Sequence, residues 1–128
     1  MSNFFDDAEI IHSYSRAQAL DDGVLVDVSE DAKQAGIVFP VAVTRAVWDK
    51  YIEVPKGVRC QDVKGRLWDV VWMMACAARR GQGGQILYQL HVRNSNRRGT
   101  PPLVTLKAIC SPGDTAAPVI TIMLPNED

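Results

Sequence analysis

The sequence contains one long segment with the pattern of a helix that has almost no polar face, Gly65-Arg66-Leu67-Trp68-Asp69-Val70-Val71-Trp72-Met73-Met74-Ala75-Cys76-Ala77-Ala78. At 100° per residue, five of its side chains form one apolar stripe: Leu67, Val70, Val71, Met74 and Ala78. Arg66, Asp69 and Arg80 fall on the remaining sector. A helix that is apolar nearly all round must be covered on most sides, by its own domain or by a second subunit. The pattern therefore predicts a core helix over residues 66–80.

In a chain of 128 residues, few other elements remain to cover the side of this helix that carries Trp72 and Cys76. The strands predicted over residues 86–124 cover the broad stripe, and the segment around Trp48 covers one shoulder. If the protein forms a homodimer, we expect Trp72 at the seam between the two copies.

The composition indicates one globular domain over residues 1–128. Apolar residues make up 47% of the chain and charged residues 23%, which is ordinary for a folded protein. Residues 1–9 have the composition of a flexible acidic lead without the apolar core of a signal peptide. The longest apolar run, residues 70–78, is far shorter than the roughly 20 residues of a membrane span. We therefore expect a cytoplasmic protein with no membrane association.

The charge is unevenly divided along the chain, although the net value is only −1. Residues 1–62 hold 6 basic and 11 acidic side chains, whereas residues 63–128 hold 8 basic and 4 acidic ones. The asymmetry indicates either two oppositely charged surfaces or two halves that attract each other within one fold, and we favour the second. The small net charge gives no bulk argument for binding to nucleic acid or membrane.

The remaining patterns predict an α+β fold with the helices first and a sheet after them. Ser15, Ser29 and Thr44 are each placed to cap a short helix, over residues 16–22, 30–35 and 45–51. Residues 24–28 read as a strand, as do 10–14, and residues 41–43 as either a brief strand or the approach to a helix. Residues 86–92, 104–108 and 119–124 alternate or are β-branched, which favours an antiparallel meander. We expect the long helix to pack on this small antiparallel sheet, formed mainly by the C-terminal half.

The cysteines and histidines do not have the spacing of a metal site. Cys76 and Cys110 lie in apolar segments and are expected to be small buried hydrophobic residues, while Cys60 lies outside such a run. The chain has no Cys-x-x-Cys pair and two histidines, His12 and His91. We expect no metal and no cofactor.

Five strings resemble a family of unknown function. They are IHSYSRAQA (11–19), DGVLVDV (22–28), PVAVTRAVW (40–48), GRLWDV (65–70) and PVITIMLP (118–125). The resemblance spans nearly the whole chain and brings no catalytic residue. It implies short bacterial proteins encoded on phages, plasmids and other mobile elements, many of which bind host machinery.

One alternative to a binding function is a small transferase-like enzyme with a site around residues 12–16. The densest polar group in the chain is His12, Ser13, Tyr14 and Arg16, at a predicted strand-to-helix junction. Transferases that grip a dinucleotide use such residues together with a carboxylate on a later strand, and Glu127 is the only late glutamate. The structural interpretation, which we prefer, gives Ser15 the helix cap, Tyr14 the core and Arg16 a salt bridge.

A second alternative is a weak nucleic-acid binder. Arg93, Arg97 and Arg98 lie in a polar loop where they can contact phosphates, and Arg79 and Arg80 can add to the patch. The loop has no aromatic side chain for base stacking. The competing interpretation is an ordinary solvated hairpin tip, which we prefer.

The acidic residues of the first half carry the function that we expect. Asp21, Asp22, Glu30 and Asp31 are candidates for a partner-binding surface, because an acidic surface imitates phosphates and occupies a basic groove. Together with the resemblance, they predict a non-enzymatic binding protein of a mobile genetic element. Its expected partner is a host protein or protein–nucleic acid complex, and its expected action is that of an anti-CRISPR-like inhibitor of host defence.

Overall fold

Five strands form a single mixed sheet in the part of the chain that the structure describes. A computed structural model describes residues 14–81 and 83–127 of the chain. The strands are β1 (Leu25–Asp27), β2 (Val41–Thr44), β3 (Gln85–His91), β4 (Leu103–Pro112) and β5 (Pro118–Met123). Their order across the sheet is β1-β2-β5-β4-β3, so that β1 and β3 are the two edges.

Four helices accompany the sheet within the described residues. They are α1 (Arg16–Asp21), α2 (Ser29–Gln34), α3 (Arg45–Val47), which continues as a π-helical turn (Trp48–Ile52), and α4 (Val63–Arg80). The predicted α+β class is confirmed, and α4 is the one long helix. None of these helices has both the length and the apolar content that a bilayer crossing requires.

The antiparallel meander of the C-terminal half is confirmed, but it is only part of the sheet. β3 pairs with β4 and β4 with β5, all antiparallel. The expectation of a wholly antiparallel sheet is wrong, because β2 runs parallel to β5, with Val41 opposite Ile120 and Val43 opposite Ile122. β1 then pairs antiparallel with β2. The first half of the chain therefore supplies two of the five strands, and residues 41–44 are a strand rather than the approach to a helix.

The helix α4 packs on one face of the sheet, called here the inner face, as predicted. Tyr88 of β3 is buried on this face and its Oη donates a hydrogen bond to the carbonyl oxygen of Val70, at 3.0 Å. The largest fully buried side chains lie in this core, among them Ile52, Met74, Leu106 and Ile122. α2 also packs on α4, so its buried Ala32 joins the same core.

Two residues of α4 are placed differently from the helical wheel. Ala78, which the wheel assigns to the apolar stripe, is exposed near the end of the helix. Arg66, which the wheel assigns to the polar sector, is only 5% exposed. The covered side of the helix is thus rotated toward Arg66, because the loop after β3 lies there and supplies hydrogen-bond acceptors.

The helix caps are correct at two of three predicted positions. Ser15 accepts a hydrogen bond from the backbone N–H of Gln18 in a complete capping box, and Thr44 caps α3. Ser29 is not a cap: it is the first residue of α2, and its hydroxyl donates to Asp27 and accepts from the backbone N–H of Val41. This hydroxyl ties the start of α2 to β2 instead.

Other expectations meet a correction or fall outside the described residues. Cys110 is exposed rather than buried, because it lies close to the end of β4, while Cys76 is half-buried and Cys60 exposed. The flexible lead over residues 1–9 and most of the predicted strand over residues 10–14 lie outside the described residues.

Candidate functional site

A groove of about 530 Å³ lies on the outer face of the sheet, on the side away from α4. α1 forms one wall of this outer-face groove, and strands β1, β2, β4 and β5 form its floor. Two of the four residues predicted for an enzyme site line it, Tyr14 and Arg16, and so does the late carboxylate Glu127. The other two, His12 and Ser13, lie outside the described residues, so the enzyme prediction stays a prediction.

Arg16 holds α1 against the sheet. Its Nη1 donates to the Thr121 hydroxyl at 2.7 Å, and its Nη2 donates to the Ile120 carbonyl oxygen at 2.8 Å. Burial lowers the pKa of Arg16, and the carboxylates of Asp27 and Asp114 act against that shift. Arg16 therefore joins two hydrogen-bond acceptors on β5 rather than forming the salt bridge that the sequence suggested.

Asp114, in the turn between β4 and β5, reinforces the start of α1. Its carboxylate accepts hydrogen bonds from the backbone N–H groups of Arg16 and Ala17, at 2.8 and 3.0 Å. These bonds lower the pKa of Asp114 below its ordinary value. The first N–H groups of a helix have no partner within the helix, so a carboxylate from a distant turn satisfies them here. Sequence reasoning missed this contact, because the two partners are almost a hundred residues apart.

The other polar groups of the outer-face groove are also engaged within the fold. The Tyr14 hydroxyl donates to the Asp22 carboxylate, which raises the pKa of Tyr14. Tyr14 is 55% exposed, so it is not the core residue that the sequence suggested. The Glu127 carboxylate accepts from the Thr44 hydroxyl and from the backbone N–H of Leu124, both at 2.8 Å.

This arrangement is better suited to holding elements together than to proton transfer. General acids and bases work best with a pKa close to the operating pH. The pKa values of Tyr14 and Asp114 are moved away from neutrality, the first upward and the second downward. In the described part of the groove, the groups that join its walls are the same groups that catalysis would need.

A second site is formed where the loop after β3 docks on the segment that follows α3. Asn94 donates through Nδ2 to the carbonyl oxygen of Lys50, and Asn96 donates to that of Gly57, at 2.9 and 2.8 Å. Asn96 also accepts from the backbone N–H of Arg59, at 2.8 Å. The loop is thus fixed to the body of the protein, although its residues 94–100 remain exposed to solvent.

Arg66 is the buried centre of this docking. Its Nε donates to the Ile52 carbonyl oxygen at 3.1 Å, and its Nη1 donates to the Arg93 carbonyl oxygen at 2.6 Å. Its Nη2 donates to Oδ1 of Asn94 at 2.6 Å. Burial lowers the pKa of Arg66. One guanidinium therefore joins three segments, and nothing in the wheel pattern indicated that role.

The docking brings together basic side chains from two distant parts of the chain. Residues 53–59 and 93–99 contain five basic residues and one acidic residue. Arg93 is engaged within its own loop, because its guanidinium donates to the carbonyl oxygens of Arg97 and Gly99. Four bases remain exposed, and we call them the basic surface: Lys56, Arg59, Arg97 and Arg98. The first two of these were missed, because only tertiary docking places them beside the loop.

Arg79 and Arg80 do not extend the basic surface. They lie at the end of α4 opposite to Arg66, and Arg79 donates to the Ala35 carbonyl oxygen at 3.0 Å. The Arg79 guanidinium also lies over the Trp72 ring, 5.5 Å from its centroid. Trp72 itself stacks on Trp68 and remains 38% exposed.

The four acidic candidates are divided between the two faces of the sheet. Asp21 and Asp22 are exposed at the end of α1, on the outer face. Glu30 and Asp31 lie in the first turn of α2, which packs on α4 at the inner face. Within residues 14–81 and 83–127, one ion pair is formed, between Arg45 and Asp49 of the first half. Attraction between the oppositely charged halves, which we favoured, therefore has no side-chain ion pair to support it there.

The described residues offer no cluster of three or more His, Cys, Asp or Glu side chains that is arranged to hold a metal ion. His91 is exposed on β3, and its Nδ1 lies 2.8 Å from the carbonyl oxygen of Pro101.

Family comparison places the whole chain in one group. A model described as a family of unknown function, DUF6573, matches residues 1–128. The chain belongs to DUF6573. No curated protein and no solved structure matches it. Membership in DUF6573 assigns no activity, so a functional proposal must rest on the geometry of the surfaces described above.

Proposed function

We propose that this chain is a non-enzymatic binding protein that contacts nucleic-acid phosphates through the basic surface. The observation that carries the proposal is the docking of the loop by Arg66, Asn94 and Asn96, which sets the segment that contains Arg97 and Arg98 against the segment that contains Lys56 and Arg59. A surface already fixed in its bound conformation loses less entropy on association. Lysine and arginine side chains that meet phosphates also release counterions from the nucleic acid.

The composition of the basic surface indicates contact with the phosphate backbone rather than with bases. Residues 53–59 and 93–99 contain no aromatic side chain on which a base can stack. Without stacking or groove-reading elements, we expect little sequence preference and a dissociation constant in the range of about 10⁻⁴ to 10⁻⁶ M at physiological salt.

The test is fluorescence anisotropy with a labelled 20-base-pair duplex over a series of salt concentrations. We expect the logarithm of the binding constant to fall linearly with the logarithm of the salt concentration, with a slope of about −0.9 for each phosphate contacted. The double substitution Arg97→Gln with Arg98→Gln should weaken binding at least tenfold at low salt and make the slope shallower.

The matched control removes the same charge elsewhere, through Lys33→Gln with Lys64→Gln. Both of these side chains are exposed and neither belongs to the basic surface. If the control pair weakens binding as much as the Arg97 and Arg98 pair, net charge alone explains the binding and the proposal is wrong. Negligible binding of the wild-type protein at low salt would also refute it.

A second proposal follows from the resemblance to proteins of phages and plasmids. In it, the chain comes from a mobile genetic element and inhibits a host defence complex in an anti-CRISPR-like manner. The supporting observation is that Asp21, Asp22 and Glu30 are all exposed. The acidic candidates lie on two faces of the sheet. We therefore expect a single partner to contact one pair, either Asp21 and Asp22 or Glu30 and Asp31, more strongly than the other.

Affinity capture from a bacterium that carries such a complex tests this second proposal. Asp21→Lys with Asp22→Lys reverses the charge on the outer face, and Glu30→Lys with Asp31→Lys does so on α2. We expect one pair to abolish both capture and inhibition while the other leaves both intact. Equal effects of the two pairs, or capture without inhibition, would contradict the proposal.

A further inference from the structure

Within residues 14–81 and 83–127, the strand β3 is an edge of the sheet, and its sequence lacks the usual protection against pairing. Edge strands are normally short, charged, bulged or interrupted by proline, because their free N–H and C=O groups otherwise pair with another chain. β3 has seven residues in continuous register with β4, and it contains no proline, lysine, arginine or acidic residue. Its Leu87 side chain is 62% exposed.

The outward hydrogen-bonding groups of β3 follow from its inward ones. Gly84 accepts from the Cys110 N–H just before β3, and the Val92 N–H donates to Pro102 just after it. In an antiparallel pair, hydrogen-bonded positions alternate along the strand. The backbone groups that point away from β4 therefore belong to four residues: Gln85, Leu87, Gln89 and His91.

The opposite edge, β1, shows how this sheet protects a strand. β1 has three residues and ends in the exposed Asp27. Two copies paired through so short a strand would bring their Asp27 carboxylates close together, and like charges at close range destabilise such pairs. The contrast identifies β3 as the edge that is open to association.

The helix beside this edge adds an apolar flank. A groove of about 600 Å³ runs around the β3 edge, between Leu87 of β3 and three residues of α4, the apolar Met73 and Ala77 and the charged Arg80. On the helical wheel, Met73 lies on the side of α4 that faces β3. Trp72 lies about 100° away, where its ring stacks on Trp68 and lies under the Arg79 guanidinium. The apolar surface next to the open edge thus excludes Trp72.

We propose that a second copy of this chain pairs with β3 antiparallel, about a two-fold axis at Tyr88, to form one continuous ten-stranded sheet. In this register Leu87 lies opposite Gln89 of the second copy and Gln85 lies opposite His91. Each of these pairs exchanges two backbone hydrogen bonds.

The occupant is a second copy because β3 is complementary to itself. The register uses all four outward residues and sets no pair of lysine, arginine or acidic side chains against each other. Because the two-fold axis is perpendicular to the sheet, the α4 helices of both copies lie on the same face of the ten-stranded sheet. The side of each helix that carries Met73 then faces the seam. This inference stands independently of nucleic-acid binding.

The test is the molecular mass in solution, measured by sedimentation velocity from about 1 to 100 µM. We expect the wild-type protein to have twice the monomer mass of 14.1 kDa at the upper concentrations. Leu87→Lys places two like charges on diagonal neighbours across the seam, so it should yield monomers. Leu103→Lys is the control, because Leu103 is 53% exposed on the same outer face but lies on β4. Since Leu87 lies opposite Lys107 in the same chain, a thermal scan of Leu87→Lys is measured alongside to confirm that the variant is folded.

Amide hydrogen exchange provides a second readout that does not depend on a variant. The N–H groups of Leu87 and Gln89 should become protected as concentration rises, whereas that of Tyr88, which points to β4, should not change. A wild-type monomer at every concentration would overturn the proposal. So would a dimer that survives Leu87→Lys, or one that Leu103→Lys dissolves equally well.

Discussion

Replacement of Arg66 by methionine tests the docking on which the basic surface depends. Methionine keeps most of the length and apolar contact of the side chain but removes the guanidinium. The three carbonyl and amide oxygens that accept from Arg66, on Ile52, Arg93 and Asn94, then lose their donor. We expect the substitution to destabilise the protein and to release the loop over residues 93–99.

The expected loss of stability follows from the hydrogen bonds that Arg66 makes. A hydrogen bond to a charged group contributes roughly 1.5–3 kcal/mol, and Arg66 makes three within 3.1 Å. Removal of the buried guanidinium also removes its desolvation cost, which offsets part of the loss. We therefore expect the free energy of unfolding to fall by about 2–4 kcal/mol. For a chain of this size that is a decrease in Tm of about 10 °C.

Urea unfolding at 25 °C and a thermal scan measure this change, and hydrogen exchange reports on the loop. Arg98→Met is the control, because Arg98 is exposed in the same loop and its loss should change stability by less than about 0.5 kcal/mol. Arg66→Met should also weaken duplex binding, although Arg66 itself does not belong to the basic surface. A loss of stability below about 1 kcal/mol, with unchanged hydrogen exchange in the loop, would show that Arg66 does not hold the loop in place.

Three further predictions concern other contacts. Because the pKa of Asp114 is lowered in the fold, its contribution is present above the ordinary aspartate pKa of about 3.9 and is lost as the pH falls through the folded-state value. Urea unfolding should accordingly show Asp114→Asn less stable than wild type at pH 7, with the difference narrowing near pH 3, and a constant difference would contradict this. Tyr88→Phe removes the bond to the Val70 carbonyl oxygen and should cost about 1 kcal/mol in the same assay, whereas an unchanged midpoint would show that the bond contributes nothing. Trp72→Ala should leave the sedimentation behaviour unchanged. If the Trp72→Ala protein is instead a monomer, the dimer interface lies at Trp72, as expected from the sequence, and not at β3.

The sequence predicted the local features of the fold well, because each depends on neighbouring residues. The capping box of Ser15 and Gln18 and the alternation along β3 are both present. Gly23 follows α1 in the left-handed conformation, at φ 78°, which glycine often adopts just after a helix. Ser29 was misassigned because its hydroxyl has a better partner in the backbone N–H of Val41, twelve residues away.

The long-range features were not accessible from local patterns. Residues 41–44 are a short apolar run, and such a run does not reveal whether its neighbour in a sheet will be parallel or antiparallel. Its parallel pairing with β5 joins segments almost eighty residues apart. The same limit applies to Arg66: its burial follows from where the loop and residue Ile52 dock, and the helical wheel contains no information about either.

The dimer and the basic surface together make one further prediction about duplex length. Each basic loop begins at Val92, four residues after the proposed axis at Tyr88, so at about 3.3 Å per residue the two loops start roughly 26 Å apart. A separation of this order is comparable to one duplex turn of about 34 Å. A 20-base-pair duplex can then contact both surfaces, whereas an 8-base-pair duplex can contact one. With a single-site dissociation constant near 10⁻⁴ M and an effective concentration of about 1 mM, the longer duplex should bind about tenfold more tightly than length alone explains.

Leu87→Lys should abolish that advantage while leaving binding of the short duplex unchanged. An advantage that survives in a monomeric Leu87→Lys protein would show that the two surfaces do not act together.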